Sequence, residues 1–490
     1  MRPAVHKLAC SLLVLAVLAA GVASAAQGPI GPEAARHLLY RTGFEAHVNQ
    51  IEEFAALSRE AAVARLLAGS ATAARTPAPM WSTEFVSPRT LRTLDDEGKK
   101  QFQREQAGRA MELKTWWVAE MLATPTPLTE RMTLFWHNHF TSGLQKVKSA
   151  TLMYRQNVLL RRHALGNFAE MLHAVSKDPA MLVYLDSASS RRGQPNENFA
   201  REVMELFTVG EGHYSEQDIR EAARAFTGWS INPDTGEFLW RPFAHDAGTK
   251  TVLGRSGSFN GDDVIDLLLA HPKTAEFVVA KLWREFVSPE PDFREVVRIG
   301  ALFRESDYDI RTALRALLVS DAFYSTQNRG TLVKSPVELV VGTMRQFDVG
   351  YSDPLPLVFL LRTLGQDLFS PPNVKGWPGG EAWINSTSLL ARRQFLERLF
   401  RVDESRMQAP VADGMKGIGR VPEARARLMR ASLDIRFSGG AWLKQFGTAD
   451  PQSAMQRLLL PLPPASGEAL QGQGVDLVRR ITADPAYQLK

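Results

Sequence analysis

The 490-residue sequence predicts a mainly α-helical fold, a multi-helix globular body with one small β-hairpin element near residues 238–254. Apolar residues recur at helical spacing along most of the chain. Ser335-Pro336-Val-Glu338 combines an N-cap serine, a proline at the first helical position and a capping box, which together mark a helix start. The composition, 44% hydrophobic and 23% charged, is that of an ordinary globular protein.

Residues 1–25 are predicted to be a signal peptide. Arg2 and Lys7 give it a basic start, residues 8–22 are apolar, and Ala23-Ser24-Ala25 has the small side chains of a cleavage site. We therefore expect export by the general secretory route, to the periplasm or the outside of the cell, and no transmembrane segment in the mature chain. An uncleaved membrane anchor is the alternative, although the apolar run is short and rich in alanine.

Charge and cysteine content argue against several classes of function. The formal net charge is +5, and Arg2 and Lys7 of the leader contribute two of those charges. The other lysine and arginine residues are scattered among acidic ones, without a long basic run, so we expect no nucleic-acid partner. Cys10, the only cysteine, lies in the leader, so we expect no cysteine nucleophile, thiolate metal ligand or disulfide in the mature chain.

After the leader we expect one main helical domain over residues 26–402 and a C-terminal helical segment, 403–490, packed on the same domain. Capping residues and apolar periodicity predict helices at 33–40, 51–67, 128–140, 153–175, 309–318, 386–402, 425–433 and 475–481. The periodicity weakens after residue 403, which leaves the C-terminal segment the least defined part of the prediction.

A helical hairpin over residues 195–229 carries the densest group of charged side chains in a regular frame. Its first helix has an apolar face made of Phe199, Val203, Leu206 and Phe207. Two polar stripes at helical spacing lie away from that face: Glu197, Arg201 and Glu205, and beside them Asn198, Glu202 and Glu205. Gly210 is expected to end this helix, and a capping box from Ser215 to Asp218 is expected to start the second.

Two interpretations of these stripes stay open. Glutamates and an arginine four residues apart are typical of a solvated helix face stabilised by ion pairs. The same side chains can form a functional site, in which the catalytic candidates are Arg201, Glu202 and Glu205, and the binding candidates are Glu197 and Asn198. Spacing alone favours the structural interpretation, because ion-pair networks are commoner than active sites.

Two histidines lie at the end of the helix predicted at 128–140. His139 continues the apolar stripe that begins at Leu128, whereas His137 is about 200° around the helix from it, at about 100° per residue. The two imidazoles therefore cannot bind one metal ion from a regular helix, unlike histidines four residues apart. His139 is either a core histidine satisfied by a neighbour or a catalytic candidate that lines a site, and His137 is a binding candidate.

Two irregular segments hold the remaining binding candidates. His245-Asp246 lies in a loop with a glycine, and functional residues are common in loops on rigid scaffolds. Asp246 can equally bond its own backbone in a turn. Trp377 lies in the segment 370–385, whose prolines and glycines predict an ordered loop that either lines a pocket or packs as a lid over the core.

Five stretches of the chain resemble a known family. They are Trp136-His-Asn-His-Phe140, Pro195-Asn-Glu-Asn-Phe-Ala-Arg-Glu-Val-Met-Glu-Leu-Phe207, Ala225-Phe-Thr-Gly-Trp229, His245-Asp246 and Pro372-Asn-Val-Lys-Gly-Trp377. On these stretches the chain is similar to the bacterial DUF1800 family, a domain of unknown function, from about His37 to the C-terminus. The resemblance implies an exported, mainly helical protein with a sulfatase-like exported protein as a partner. It implies no reaction and no catalytic residues.

Two hypotheses for the function follow. The first is an exported enzyme whose site gathers the charged stripes with the histidines, because carboxylates and imidazoles together suit general acid–base chemistry or a divalent metal bound by oxygen and nitrogen. The second is a non-catalytic binding or assembly partner of the sulfatase-like protein, in which the same groups form a structural network. Convergence of the segments on one solvent-accessible site distinguishes the first hypothesis from the second.

The order of basic, apolar and small residues generates a prediction about export. We expect cleavage near Ala25, so that the exported protein lacks both Met1 and Cys10. Intact-mass measurement of protein recovered from outside the inner membrane tests this expectation. A mass that includes Met1 would contradict it and favour the membrane anchor.

Overall fold

The computed structural model describes residues 28–401, 423–447 and 450–490. The predicted signal peptide, residues 1–25, and the first part of the predicted C-terminal segment, residues 403–422, lie outside the described residues. Within those ranges the chain forms 24 α-helices and two small two-stranded antiparallel sheets, which confirms the predicted mainly helical fold. Ten helices precede the charged hairpin: α1 (Gly31–Thr42), α2 (Val48–Ala55), α3 (Arg59–Ala68), α4 (Pro88–Thr93), α5 (Asp96–Ala123), α6 (Pro127–His139), α7 (Leu144–Val147), α8 (Ala150–His163), α9 (Phe168–Ser176) and α10 (Pro179–Tyr184).

The charged hairpin contains α11 (Glu197–Glu202), a π-helix (Val203–Phe207) and α12 (Glu216–Ala225). Phe199, Val203 and Phe207 are buried as their spacing predicts. Gly210 has a φ of +80°, and the capping box of Ser215 begins α12. The regular helix predicted through residue 207 instead widens into a π-helix after Glu202, where the hydroxyl of Thr208 donates to the carbonyl of Val203, 2.5 Å away.

The β element consists of two hairpins instead of the single one predicted near 238–254. Strands β1 (Trp229–Ile231) and β2 (Phe238–Trp240) form the first, and β3 (Lys250–Val252) and β4 (Arg255–Gly257) form the second. Leu253 and Gly254 join β3 to β4, both with positive φ, as a tight two-residue hairpin turn requires. The periodicity of β1 is invisible in the sequence because the strand is only three residues long.

Twelve further helices complete the described part of the chain. They are α13 (Gly261–Ala270), α14 (Pro272–Phe286), α15 (Phe293–Glu305), α16 (Ile310–Leu318), α17 (Asp321–Tyr324), α18 (Pro336–Gln346), α19 (Leu355–Thr363), α20 (Ser386–Arg401), α21 (Glu423–Leu433), α22 (Gly439–Leu443), α23 (Pro451–Leu459) and α24 (Gly474–Ala483). No helix among the described residues is both long enough and apolar enough to cross a membrane.

Two of the helices predicted from the sequence are each divided in two by a capping residue. Ser58 separates α2 from α3, and its hydroxyl accepts from the backbone NH of Ala61 at 3.2 Å. Asn167 separates α8 from α9 in the same way, with its side-chain oxygen 2.9 Å from the NH of Glu170. The apolar periodicity runs on across both breaks, so it predicted single helices at 51–67 and 153–175.

Helix α6 is the centre of the fold, since every side chain from Leu128 to His137 is buried. A helix with polar residues that is buried on every side must pair those residues internally. Glu130 binds Arg161 of α8 through two bonds, 2.6 Å to Nε and 2.9 Å to Nη2, and also accepts from the indole of Trp117. Helix α6 is thereby joined to α8 and α5 by one buried ion pair.

A second buried ion pair joins α6 to later parts of the chain. Arg131 lies 2.7 Å from Glu338 of α18 and also pairs with Glu285 of α14. The ammonium of Lys490 binds the same Glu338 carboxylate, so the end of the described chain reaches the core. Although burial opposes it, Arg131 and Lys490 lower the pKa of Glu338. The segment after residue 422 thus packs on the same core as α6.

The Arg161–Glu130 pair generates a prediction about stability. Both side chains are 1% exposed, so Arg161→Met would leave a buried carboxylate without its cation. We expect a loss of about 3–5 kcal/mol in the free energy of unfolding, measured by urea denaturation. Arg104→Met, which removes an exposed arginine 3.8 Å from Glu97, should cost no more than about 1 kcal/mol.

Addition of Glu130→Gln to Arg161→Met removes the stranded charge, so this double variant should recover part of the loss. Equal stability of Arg161→Met and Arg104→Met would contradict the central role of the buried pair.

Candidate functional site

The π-helix Val203–Phe207 is the local feature around which the candidate site is built. Such one-turn π segments are rare and are frequent at functional sites. Val203, Met204 and Phe207 face the core, while the side chain of Glu205 is 20% exposed. The π-turn therefore presents Glu205 at the surface from a segment that is otherwise anchored in the core.

The side chains of His139 and Lys281 form hydrogen bonds to the carbonyl groups at the end of this π-helix. The Nε2 atom of His139 lies 3.2 Å from the carbonyl oxygen of Phe207. The ammonium of Lys281 donates to the carbonyl of Leu206 at 2.8 Å and lies 3.2 Å from Nδ1 of His139. Because an ammonium has only donors, Nδ1 accepts and Nε2 carries the proton. The last carbonyls of a helix need such partners when no water reaches them.

Burial sets the protonation of this pair. Burial and the neighbouring Lys281 lower the pKa of His139 well below its ordinary value, so the imidazole is neutral. Burial, together with Arg284, lowers the pKa of Lys281 to about 7. His139 is buried and both ring nitrogens are occupied, which leaves it no proton to exchange with a substrate. The geometry supports the interpretation of His139 as a core histidine that positions the π-helix.

The two glutamates Glu202 and Glu205 have different surroundings although they lie one turn apart. Glu202 is half-buried and makes no hydrogen bond or ion pair with any residue that the structure describes. Burial, followed by the charge of Glu205, raises its pKa. Glu205 accepts a hydrogen bond from the hydroxyl of Tyr214 at 3.1 Å and lies 3.9 Å from the ammonium of Lys375.

Tyr214 is the residue that the sequence analysis missed on this side of the site. Burial and the hydrogen bond to Glu205 raise its pKa to about 12, so the phenol stays protonated and donates. It lies between the glycines that follow the π-helix and the start of α12. Its place in an irregular turn gave no periodic signal.

Arg201 belongs to the surface bridge between α11 and α12. Its guanidinium binds Glu216 through two bonds of 2.8 and 2.9 Å, and it lies 3.5 Å from Glu197 one turn earlier. These bonds, the Glu216 bond foremost, raise the pKa of Arg201. The expected continuation of the stripe from Arg201 to Glu205 is not seen within the described residues, because the π-turn rotates Glu205 towards Tyr214.

A second group of polar residues borders Glu202 from the preceding loop. The amide of Asn198 donates to the Asp186 carboxylate at 3.4 Å, and Lys146 binds the same carboxylate at 2.6 Å. Burial and the nearby Glu202 raise the pKa of Tyr184, whose ring lies 5.9 Å from the Lys146 ammonium. Asn198 is therefore at the edge of the candidate site, held by residues from a different part of the chain.

His137 faces the opposite side of α6, in a layer of aromatic side chains. Its ring centre lies 5.4 Å from that of Trp117, 5.3 Å from that of Phe369 and 5.8 Å from that of Trp377. Both ring nitrogens are buried without a hydrogen-bond partner among the described residues. Burial lowers the pKa of His137 to about 4. His137 and Trp377 are thus brought together, but in the core instead of at the surface.

The loop that carries Trp377 also carries Lys375, and α6 anchors it. The side-chain oxygen of Asn138 accepts from the backbone NH of Trp377 at 2.7 Å, and its amide donates back to the Trp377 carbonyl. Gly376 has a φ of +80°, and a Cβ there would lie 2.2 Å from the Asn138 side chain. Consecutive residues of α6, Asn138 and His139, therefore hold the two sides of the candidate site.

His245 and Asp246 lie in a different place, beside the β hairpins. Asp246 accepts from Arg224 of α12 at 2.8 and 3.2 Å, and chiefly this bond lowers its pKa to about 2. Nδ1 of His245 lies 3.0 Å from the carbonyl of Thr227. Neither residue contacts Glu202 in the described structure. Their bonds join the loop to α12, as a structural turn does.

The described residues contain no group of three or more histidine, cysteine, aspartate or glutamate side chains arranged to hold a metal ion. Glu202 and Glu205 supply two carboxylates, and Tyr214 occupies one oxygen of the second. The divalent metal that the sequence analysis offered therefore finds no ready ligand set among these candidates.

The two histidines of α6 provide a matched prediction. His139→Leu would leave the carbonyl of Phe207 without its donor, so we expect a loss of about 1–3 kcal/mol in the free energy of unfolding at neutral pH. His137→Leu has no hydrogen bond to lose, so it should be neutral or stabilising by up to about 1 kcal/mol. Thermal unfolding with hydrogen exchange across residues 203–210 measures both effects.

The pH dependence of His137 has a definite sign. The unfolded chain binds a proton at this histidine below its ordinary pKa of about 6.5, whereas the folded chain does so only near the lowered value of about 4. Stability conferred by the neutral ring is therefore lost as the pH falls between those values, and His137→Leu should reduce that loss. Equal effects of the two histidine substitutions at neutral pH would contradict the assigned geometry.

No curated protein and no solved structure gives a significant match. The sequence matches the family described as a protein of unknown function (DUF1800) over residues 37–489, which includes every candidate site residue. The chain therefore belongs to the DUF1800 family.

Proposed function

We propose that the protein is an exported enzyme that carries out general acid–base chemistry at the carboxyl pair of Glu202 and Glu205. The observation that carries the proposal is the contrast between the two groups. The half-buried side chain of Glu202 forms no hydrogen bond or ion pair with the residues that the structure describes, whereas Glu205 is bonded to Tyr214 and close to Lys375. Different surroundings for two neighbouring carboxyl groups are how enzymes keep one protonated and the other charged. The leader sequence supports export.

The surroundings assign a role to each carboxyl group. A raised pKa lets Glu202 hold a proton nearer to neutral pH, as a general acid must. Glu205 accepts the hydrogen bond from Tyr214 and lies 3.9 Å from the ammonium of Lys375, and we assign it the role of the base or of an electrostatic stabiliser. Lys375 is 65% exposed, so its ammonium can also face negative charge that develops on a substrate.

The side chains that surround Glu202 and Glu205 indicate the class of substrate. Asn198 and the hydroxyl groups of Tyr184 and Tyr214 surround the pair with neutral hydrogen-bonding groups. A polar substrate with hydroxyl or carbonyl groups fits such a border better than an apolar one. We propose cleavage or transfer at a C–O bond whose leaving oxygen needs a proton, the step for which paired carboxyl groups are suited.

The raised pKa of Glu202 can be tested without knowledge of the substrate. Carbodiimide activates protonated carboxyl groups, so at about pH 6 Glu202 should be labelled by a carbodiimide and an amine while ordinary exposed glutamates, with a pKa of about 4.3, react little. Peptide mass spectrometry compares Glu202 with Glu211, a 73% exposed glutamate of the same region. Equal labelling of the two at this pH would contradict the assignment of Glu202 as the acid.

The effect of removing the acid Glu202 on kcat/KM should depend on the leaving group of the substrate. For Glu202→Gln we expect a fall of about 10²–10⁴ in kcat/KM on glycosides or esters with alkyl leaving groups, but a small change with nitrophenyl ones, which leave without a proton. Thermal unfolding of the same variant should show a gain in stability at pH 7 that vanishes towards pH 4, because only the ionised form is penalised in the folded state.

Glu305→Gln, at an exposed glutamate at the end of α15, is the control and should change neither property. The proposal fails if the folded parent protein hydrolyses none of these substrates. It also fails if the folded Glu202→Gln variant hydrolyses every one of them as fast as the parent protein does. Association with a sulfatase-like exported protein that is lost in the Glu202→Gln variant would then favour the assembly role.

A further inference from the structure

A large cavity in the described structure lies away from the carboxyl pair. Its volume is about 1080 Å³, just above the range of about 300–1,000 Å³ usual for small-molecule sites. It lies between α5, α7, the start of α8 and strand β1. Most of the wall is apolar and half-buried, with side chains such as Phe85, Leu91, Phe102, Val183 and Ile231.

Helix α4 and the first half of α5 form an open cover over this cavity. No residue of α4 is buried, although Leu91 and Arg92 of this helix line the cavity. The buried residues of α5 begin only at Leu113, whereas its lining residues lie between Lys99 and Ala110. Protein interiors are otherwise close-packed, so an apolar space of this size under two helices fits a bound apolar group.

Basic side chains dominate the charged part of the rim. Arg92, Lys99 and Lys148 all line the cavity, and the single acidic lining residue, Glu84, is neutralised by Arg109 at 2.6 Å. The side chains of Arg92 and Lys148 form no ion pair or hydrogen bond with the residues that the structure describes. Lys99 has only an exposed contact of 3.7 Å with Asp96. The rim therefore attracts an anion.

We infer that this cavity binds a single-chain amphiphile with an anionic headgroup, of the long-chain carboxylate type. The apolar wall would take the acyl chain, and Arg92, Lys99 and Lys148 would face the headgroup at the rim. The predicted leader is a poorer occupant because its own charges, Arg2 and Lys7, are basic.

The cavity and the proposed acid–base site share walls but not side chains. Leu144 and Val183 face the cavity, while Lys146 and Tyr184 of the same segments lie on the side of Glu202. The binding of the amphiphile therefore does not depend on the proposed acid–base role. Glu202→Gln should bind it as the parent protein does.

Titration calorimetry of the purified full-length chain with dodecanoate and tetradecanoate, each below its micellar concentration, tests the inference. We expect saturable binding at one site, with a Kd that tightens about fourfold for each added methylene because each enters the apolar wall. Dodecyltrimethylammonium, which has the same chain and a cationic headgroup, should bind at least about tenfold more weakly. Binding that is independent of chain length would overturn the inference.

Substitutions on the two faces of α5 and at the rim locate the site. Arg92→Glu, Lys99→Glu and Lys148→Glu should each weaken dodecanoate binding by about two- to fivefold or more, the size of an exposed charge pair. Lys100→Glu is the matched control, since Lys100 is exposed beside Lys99 but does not line the cavity. Ala107→Trp, at an exposed lining position, should block the acyl chain.

Two results contradict the inference. One is a failure of the variants to locate the site. This would be seen if Lys100→Glu weakened dodecanoate binding as much as Lys99→Glu does, or if the folded Ala107→Trp variant bound dodecanoate as the parent protein does. The other is sedimentation with phosphatidylglycerol vesicles in the absence of any binding to monomeric dodecanoate, which would make this face a membrane-surface contact instead of a cavity for one chain.

Discussion

The burial of helix α6 on every side is the constraint on which the rest of the structure depends. A buried charged group costs several kcal/mol unless it finds a partner, so each charged residue of α6 requires a specific neighbour at a specific place. Glu130 requires Arg161 on α8, and Arg131 requires Glu338 on α18. Elements far apart in the sequence are therefore placed around one helix by electrostatic pairing as well as by apolar packing.

The same constraint extends to the candidate site. Asn138 and His139 are consecutive residues, and because successive helical residues point in different directions they reach different elements. Asn138 holds the loop of Lys375, and His139 with Lys281 holds the end of the π-helix that presents Glu205. The distance between Glu205 and Lys375 thus depends on the half-buried Asn138 and the buried His139, neither of which contacts Glu205 through a hydrogen bond in the described structure.

The sequence predicted what depends on local chemistry. The helical fold, the buried face of Phe199 and Val203, and the capping boxes of Ser215 and Ser335 all follow from short-range spacing. The π-turn did not, because its hydrogen-bond pattern depends on partners such as Lys281, 75 residues away from Leu206. For the same reason the sequence grouped His137, His245 and Asp246 with the carboxylates, and the structure holds them elsewhere. Tyr184, Tyr214 and Lys375 lacked a periodic signal.

The features that break local rules gather around one segment. A π-turn interrupts a sequence that otherwise favours a regular helix. Glu202 lies next to this turn, half-buried beside a like charge, and its side chain forms no hydrogen bond or ion pair within the described ranges. A sequence selected for stability alone would replace Glu202 by glutamine or turn it into solvent, since either change removes the penalty on the charged form. Nearby ion pairs such as Arg201 with Glu216 show that the fold can satisfy charges on the same hairpin. A half-buried acid beside a like charge at a π-turn is what the proposed acid–base role explains and what selection for stability alone would not keep.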